Sequence, residues 1–140
     1  MSRLFSRSNN QDEKKNSGKT LNVLVIDDNE QITKMVSSFM DMSNHECTVA
    51  NDGKEGLELI KTNQYDSIIL DLAMPEYDGY AILDTLKKED PSQISKIIIL
   101  TASSVSMDSV RKFKELGIAA CLQKPVDIDQ LLSKISDVAG

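Results

Sequence analysis

The sequence predicts a doubly wound α/β fold, in which a five-stranded parallel sheet carries helices on both faces. Two observations lead to this prediction. Five short apolar runs alternate along the chain with segments whose apolar residues recur at helical spacing. The runs are nearly continuous in apolar residues, which is typical of strands that are buried on both faces of a parallel sheet. Right-handed crossovers between parallel strands then favour the doubly wound arrangement.

The predicted strands are runs of four to six residues, each followed by a polar residue or a turn. The first run is dense in β-branched residues, which favour strands. In chain order, the strands are expected at residues 21–26, 46–50, 67–70, 96–100 and 118–122.

Each predicted strand is followed by a segment with helical periodicity. The first segment, residues 31–42, places apolar side chains at positions i, i+3, i+4, i+7 and i+8 of one stripe. Gly117 stands where a helix C-cap belongs, and Asp127 stands where an N-cap belongs. The other helices are expected after a turn at 51–53, at 80–88, at 106–116 and after Asp127.

The first 20 residues differ from the remainder of the 140-residue chain. They are polar, they carry a net charge of +3, and beyond Met1 their only bulky apolar side chains are Leu4 and Phe5. Such a segment cannot bury enough apolar surface to offset the entropy of ordering. We therefore expect residues 1–20 to form a disordered, solvated tail and residues 21–140 to form one domain. Attachment of the tail to an acidic partner or a membrane surface is the alternative.

Composition argues against several classes of protein. Residues 21–140 carry a net charge of −9, whereas a protein that binds nucleic acid needs a basic face. No apolar run reaches the ~18–20 residues that a membrane span requires, and the N-terminus has no stretch typical of a signal peptide. Two cysteines are too few for a disulfide framework. We expect a cytoplasmic protein that has no membrane span and does not take nucleic acid as its partner.

Polar side chains follow four of the predicted strands, at the point where each strand ends. They are Asp27 and Asp28 after the first strand, Asp71 after the third, Thr101 after the fourth and Lys124 after the fifth. The carboxyl ends of the strands in an open α/β sheet meet at one edge, where such folds bind their ligands. We therefore expect these side chains to lie close together.

Three carboxylates at one edge need compensating positive charge. Two unit charges ~4 Å apart repel by about 4 kcal/mol at an effective dielectric constant near 20. Lys124 supplies one positive charge. The negative charge that remains predicts a hard divalent cation such as Mg²⁺, which prefers oxygen ligands. Carboxylates, a hydroxyl and an ammonium group around such an ion are suited to phosphoryl transfer, with Asp71 as the nucleophile and Thr101 as a hydrogen-bond donor.

Four motifs, LVIDDNE, ILDLAMPEYDGY, IILTAS and CLQKPVD, occur in this order along the chain. Together they resemble the receiver domain of two-component response regulators, over about residues 21–138. The resemblance implies the flavodoxin-like strand order 2-1-3-4-5. It also implies that Asp71 accepts the phosphoryl group, that Thr101 is the switch hydroxyl, and that Lys124, followed by a cis proline, pairs with the phosphate.

The same resemblance implies a Mg²⁺ site. Asp28 would bind the ion directly, and Asp27 would bind it through water. Asp71 and the backbone carbonyl of Ala73 would complete the set of protein ligands.

The implied strand order also settles what we expect of the two cysteines. Cys47 and Cys121 would lie on opposite edges of the sheet, ~19 Å apart at about 4.8 Å for each step between strands, and should be free thiols. The single histidine, His45, falls in a turn at the other end of the sheet and is expected to be a loop residue.

Two features depart from the pattern of the family. Cys121 stands three residues before Lys124, where the family usually has Tyr or Phe as a rotamer switch. Ala73 lies two residues after Asp71, and Ser103 lies two residues after Thr101. Neither side chain offers a charged or amide group that could orient a hydrolytic water. The first departure favours output through the loop and helix after Thr101, and the second favours a long-lived phosphorylated form.

These observations predict a phosphoacceptor switch that takes a phosphoryl group from a histidine kinase or a histidine phosphotransfer protein. The transfer would be self-catalysed and followed by slow autodephosphorylation, so the protein would not be a turnover enzyme. Since the chain stops at Gly140, we expect a stand-alone regulator that signals by protein contact through the face formed by the fourth helix, the fifth strand and the last helix. Its role as a diffusible chemotaxis-like messenger or as a phosphorelay intermediate stays open.

The sequence disfavours three other functions. A Mg²⁺-dependent phosphohydrolase would need a second aspartate two residues after the nucleophile, where this chain has Ala73. A flavodoxin-like nucleotide binder would need a Gly-, Ser- or Thr-rich loop after the first strand, whereas Asp27 and Asp28 would repel phosphate without a metal ion. A scaffold that is not phosphorylated is disfavoured because each acceptor-site residue is present.

Overall fold

The computed structural model describes residues 19–102 and 104–139. The prediction of a tail at residues 1–20 therefore lies outside the described residues, apart from Lys19 and Thr20. No helix within the described ranges is long and apolar enough to cross a membrane.

The described part of the chain forms one parallel sheet of five strands, in the order β2-β1-β3-β4-β5. This confirms the predicted fold class and strand order. The strands are β1 (Asn22–Ile26), β2 (Glu46–Ala50), β3 (Ser67–Leu70), β4 (Ile97–Thr101) and β5 (Ala120–Gln123). The helices are α1 (Glu30–Met42), α2 (Gly53–Thr62), α3 (Gly79–Glu89), α4 (Met107–Leu116) and α5 (Ile128–Ala139).

A 3₁₀ helix at Pro91–Lys96 precedes β4 and was not predicted from the sequence. A single short 3₁₀ segment has no 3.6-residue periodicity, so apolar spacing cannot reveal it. Proline at its first position and the Asp90 carboxylate, which accepts hydrogen bonds from Ser92 and Gln93, explain why the chain turns here. The strand that follows begins one residue later than predicted and includes Thr101.

Helices cover the sheet on both faces because alternate residues of the central strands point to opposite sides. Ile68 and Leu70 pack in an apolar cluster with residues of α2, α3 and α4. Ile69 packs in a second cluster with residues of α1 and α5. Every residue of β3 and β4 is buried, and the burial of an Ile or Leu side chain contributes roughly 1.5–3 kcal/mol.

Helix caps fix the loops that leave the carboxyl edge of the sheet. Asn29, Asp52, Asp78 and Ser106 each accept a hydrogen bond from a backbone N–H in the first turn of the helix that follows. Such caps satisfy donors that the helix itself leaves unpaired, and each is worth about 1 kcal/mol. They hold short connections in place at the edge where the candidate site lies.

Two predicted caps are confirmed at the other helix ends. Gly117 ends α4 with a φ of 92°, the left-handed conformation that a residue without a side chain adopts at little cost. Asp127 Oδ1 accepts a hydrogen bond from Gln130 N at the start of α5.

Candidate functional site

Three aspartates meet at the carboxyl edge of the sheet. β1 and β3 are neighbours, with Ile26 opposite Leu70, so the next residues, Asp27 and Asp71, leave the sheet side by side. Both are buried, whereas Asp28 is exposed. One carboxylate oxygen from each of the three lies within 4.8 Å of the others. The strand register therefore creates the predicted acidic cluster.

Lys124 brings the positive charge to this cluster. Its Nζ lies 2.8 Å from Asp27 Oδ2 and 3.6 Å from Asp71 Oδ2. The backbone N–H of Lys124 donates to the carbonyl of Thr101 at 2.9 Å, and the Lys124–Pro125 peptide bond is cis. The end of β5 is thus tied to β4 by its backbone and to β1 by an ion pair.

The surroundings of Asp71 alter its acidity. Burial raises the pKa of the Asp71 carboxyl, and the negative charge of Asp27 raises it further. The ammonium group of Lys124 and the backbone N–H of Ala73, which lies 3.4 Å from Asp71 Oδ1, act in the opposite direction. Burial and the charge of Asp27 outweigh these two effects, so the pKa of Asp71 lies above its ordinary value. Three carboxylates and one ammonium group leave two negative charges at this edge when all three aspartates are ionised.

The donor set fits a hard divalent cation. Three carboxylates within 4.8 Å of one another provide oxygen ligands, and none of the nearby side chains named above offers sulfur or imidazole. Mg²⁺ and Ca²⁺ prefer such oxygen ligands. A charge of +2 would balance the negative charge of the three carboxylates that Lys124 does not neutralise. Asp28, the exposed member, is open to an ion that keeps part of its water shell.

The structure also places the other residues that the sequence singled out. Thr101 is fully buried at the end of β4, and Ala73 is exposed in the loop after Asp71. Cys121 lies on β5 opposite Ile99. Ser103, which the sequence analysis linked to hydrolysis, lies outside the described residues.

Two glycines contribute to the site in a way that the sequence analysis missed. A Cβ on Gly79 would lie 2.5 Å from the carbonyl oxygen of Asp71, and a Cβ on Gly53 would lie 1.7 Å from that of Tyr77. Both glycines therefore permit a close approach that fixes the loop after β3. A glycine directly after an aspartate N-cap, as in Asp52–Gly53 and Asp78–Gly79, is the sequence signal that could have revealed them.

His45 lies away from the cluster, as predicted. Its Nδ1 accepts a hydrogen bond from the backbone N–H of Leu21 at 3.1 Å, at the amino end of β1. Burial lowers the pKa of this imidazole, which favours the neutral form that can accept the bond. Cys47 and Cys121 are free thiols on the two edge strands, so that prediction is also confirmed.

Comparisons with known proteins find relatives of this chain. The profile of the response regulator receiver domain matches residues 23–136. The chain is similar to the response regulator ArlR of Staphylococcus saprophyticus, with 32% identity over 113 residues that cover 81% of this chain and 50% of ArlR. The chain spans about half the length of the curated relatives that it matches.

Two solved structures are similar to the whole described domain. The receiver domain of the Francisella response regulator 1452 has 35% identity and a TM-score of 0.75, covering 86% of this chain and 97% of that one. Chemotaxis protein CheY4 of Vibrio cholerae has 28% identity and a TM-score of 0.75, covering 86% of this chain and 99% of that one.

Proposed function

The chain belongs to the response regulator receiver domain family, and we propose that it is a phosphoacceptor switch with Asp71 as the acceptor. One observation carries this proposal. The buried Asp71 carboxylate lies 3.6 Å from the Lys124 ammonium group and near two other carboxylates, so three negative charges meet one positive charge. A divalent cation would balance this charge and, together with Lys124, the charge of an incoming phosphoryl group.

The proposed reaction transfers a phosphoryl group from a phosphohistidine of a histidine kinase or a histidine phosphotransfer protein. A carboxylate oxygen of Asp71 attacks the phosphorus, a new O–P bond forms, and the P–N bond to the donor histidine breaks. The electron pair of that bond stays on the imidazole, which then takes up a proton. The product is an acyl phosphate on Asp71.

Residues of this chain orient the reaction. Lys124, within 3.6 Å of Asp71 Oδ2, would move its ammonium group onto the phosphoryl oxygens. Thr101, at the end of the adjacent strand, would donate its hydroxyl to the same group. Because the site is buried, these charges act in a low dielectric and are worth more than in water.

Mg²⁺ is the proposed cofactor. Asp28 would bind it directly, Asp27 through water, and Asp71 and the backbone carbonyl of Ala73 would complete the protein ligands. When bound, Mg²⁺ would supply positive charge that neutralises the phosphoryl oxygens.

We propose that the phosphorylated form is long-lived and that the protein does not turn over substrate as an enzyme does. Hydrolysis needs a water held in line with the phosphorus. Ala73 has no polar side-chain atom that could hold this water, and Ser103 offers only a hydroxyl group.

We propose that output passes through protein contact at the face formed by α4, β5 and α5. α4 adjoins the segment after Thr101 and fully buries only Phe113, with Leu116 partly buried, so few of its side chains hold it to the core. Phosphorylation would bias its position, and a partner would read the difference. A chemotaxis-like messenger and a phosphorelay intermediate both fit this description, and both act in the cytoplasm.

Incubation with a small phosphodonor and Mg²⁺ tests the acceptor. The intact mass should rise by one phosphoryl group, and Asp71→Asn should abolish the rise. Asp84→Asn is the matched control, because it makes the same change at an exposed aspartate on α3, and it should leave labelling intact. Labelling of Asp71→Asn to the level of the unmodified protein would contradict the assignment.

A further inference from the structure

A cavity of about 500 Å³ lies between α4 and β5, apart from the carboxylate cluster. Its apolar wall is formed by Val105, Val110, Phe113, Ile118 and Cys121. Phe113 belongs to the apolar cluster beneath α2, α3 and α4. Val105, Ile118 and Cys121 pack against that cluster. The cavity is thus an opening into the core at the edge of the sheet.

Two features of the chain leave this space unfilled. α4 fully buries only Phe113, while Leu116 of the same helix is partly buried against the apolar cluster. β5 is an edge strand, and the side chain that it presents opposite Ile99 is the small thiol of Cys121. Phe113 reaches the cavity from α4, but the Cys121 side chain is too small to fill the remaining space.

The size of the cavity matches a small organic molecule. Ligand sites in proteins measure ~300–1,000 Å³, and they are lined mainly by apolar side chains with a few polar groups that fix orientation. Here the polar lining residues are Ser104, Lys114 and Gln123, all exposed at the rim.

The lining also defines the chemistry of the ligand. Phe113 offers an aromatic ring, and the Cys121 sulfur is a favourable neighbour of another ring. Lys114 is the one charged residue of the lining, so the cavity favours an anion. Burial raises the pKa of the Cys121 thiol, so the sulfur stays neutral and does not repel a negative group.

We propose that this cavity binds a small aromatic carboxylate, with its ring between Phe113 and Cys121 and its carboxylate at the Lys114 ammonium group. This goes beyond the proposed function, since phosphoryl transfer to Asp71 needs no such ligand. The site is separate from the acceptor, so binding can be tested in the unphosphorylated protein, and its failure would leave the assignment of Asp71 untouched.

Titration of ¹⁵N-labelled full-length protein with indole-3-carboxylate tests the site. We expect saturable amide shifts at Val105, Val110 and Ile118–Cys121, with little change on α1. Cys121→Tyr should fill the cavity and weaken binding by more than about tenfold, whereas Cys121→Ala, which removes only the contact between the sulfur and the ring, should weaken it by no more than about threefold. Val110→Phe fills the same cavity from the helix side and replaces Cys121→Tyr if that variant does not fold.

A matched pair of lysine variants tests whether the Lys114 ammonium group binds the carboxylate of the ligand. Lys112 and Lys114 lie two residues apart on α4, but Lys112 lines the groove between α3 and α4 instead. Lys114→Gln should weaken carboxylate binding roughly two- to fivefold and leave the binding of neutral indole unchanged. Lys112→Gln should change neither.

Three results would overturn the proposal. The first is the absence of saturable shifts at millimolar probe. The second is undiminished binding to folded Cys121→Tyr and Val110→Phe. The third is binding of a tryptophan-containing acidic peptide without binding of the free aromatic acid, which would assign the cavity to a side chain of a partner protein.

Discussion

Lys124 Nζ lies 2.8 Å from Asp27 Oδ2, in an ion pair that joins the end of β5 to the end of β1 across two intervening strands. Both side chains are largely removed from solvent, with 14% and 2% of their surfaces exposed. A second contact, 3.6 Å long, links the same ammonium group to Asp71. Lys124 therefore stabilises the resting site as well as serving the proposed transfer.

The first prediction concerns this ion pair. Lys124→Met should lower the free energy of unfolding by up to about 3 kcal/mol in EDTA, because it leaves two buried carboxylates without their counter-charge. Mg²⁺ should restore part of the loss. Lys61→Met is the control, since it removes an exposed pair with Glu89 and should cost less than about 1 kcal/mol. Urea unfolding with and without Mg²⁺ measures the loss in free energy of unfolding for each variant. Equal losses in Lys124→Met and Lys61→Met would contradict the prediction.

The second prediction separates the two adjacent aspartates. Asp28→Ala should block Mg²⁺-dependent labelling of Asp71, because the exposed carboxylate is the proposed direct ligand. Asp27→Ala should only weaken labelling, because this residue is proposed to act through water. Labelling measured against Mg²⁺ concentration distinguishes the two effects. A stronger Mg²⁺ requirement in Asp27→Ala than in Asp28→Ala would reverse the assignment.

The order of elements could be predicted from the sequence because apolar spacing reports which side chains face the core. The strand order followed from resemblance, and the pairing of β1 with β3 then placed Asp27 beside Asp71. An Asp–Gly pair marks Gly53 as a position of interest, but its partner, the Tyr77 carbonyl, could not be predicted because the approach of the two segments depends on the packing of α2.

The partner of Lys124 shows a second limit of sequence reasoning. The motif predicts a lysine that would pair with a phosphoryl group on Asp71, but it does not predict which carboxylate lies nearest to the ammonium group. In the structure, Asp27 is the nearer partner. The two distances, 2.8 Å to Asp27 and 3.6 Å to Asp71, differ by less than 1 Å, and side-chain packing determines that difference.

The third prediction concerns the lifetime of the phosphorylated form. Ala73→Asn combined with Ser103→Glu should introduce groups that can hold a hydrolytic water. We expect the double variant to lose its phosphoryl group faster than the unmodified chain at matched Mg²⁺. Intact mass measured over time after removal of the phosphodonor gives both rates. Equal or faster decay in the unmodified chain would show that these positions do not limit hydrolysis.

The fourth prediction concerns pH. Burial lowers the pKa of His45 below its ordinary value of 6.5 in the folded protein, so the unfolded chain binds the proton more readily. The contribution of neutral His45 to the free energy of unfolding should therefore be full above about pH 6.5 and decline as pH falls below that value. His45→Asn, whose Oδ1 can accept from Leu21 N, should flatten this part of the profile. Thermal unfolding between pH 7.5 and 5.5 tests this, and identical slopes in both proteins would refute it.

The fifth prediction concerns signal output. Cys121 occupies the position where the family usually has an aromatic ring, and a thiol is too small to reproduce the swing of a ring. It is also a weak hydrogen-bond donor, and in this structure it packs against the apolar cluster on the α4 side of the sheet. Output should therefore rely on Thr101 and on the segment that leads from it into α4.

Two variants test this route. Thr101→Ala should still be labelled on Asp71, but phosphorylation should no longer shift the amide resonances of α4 and β5. Cys121→Ala should retain those shifts nearly in full, because it removes only a sulfur atom from the wall of an existing cavity. Phosphorylation-dependent binding of the partner should follow the same pattern. If Cys121→Ala lost the response while its fold and labelling survived, the thiol itself would take part in switching, and the route through Thr101 alone would be wrong.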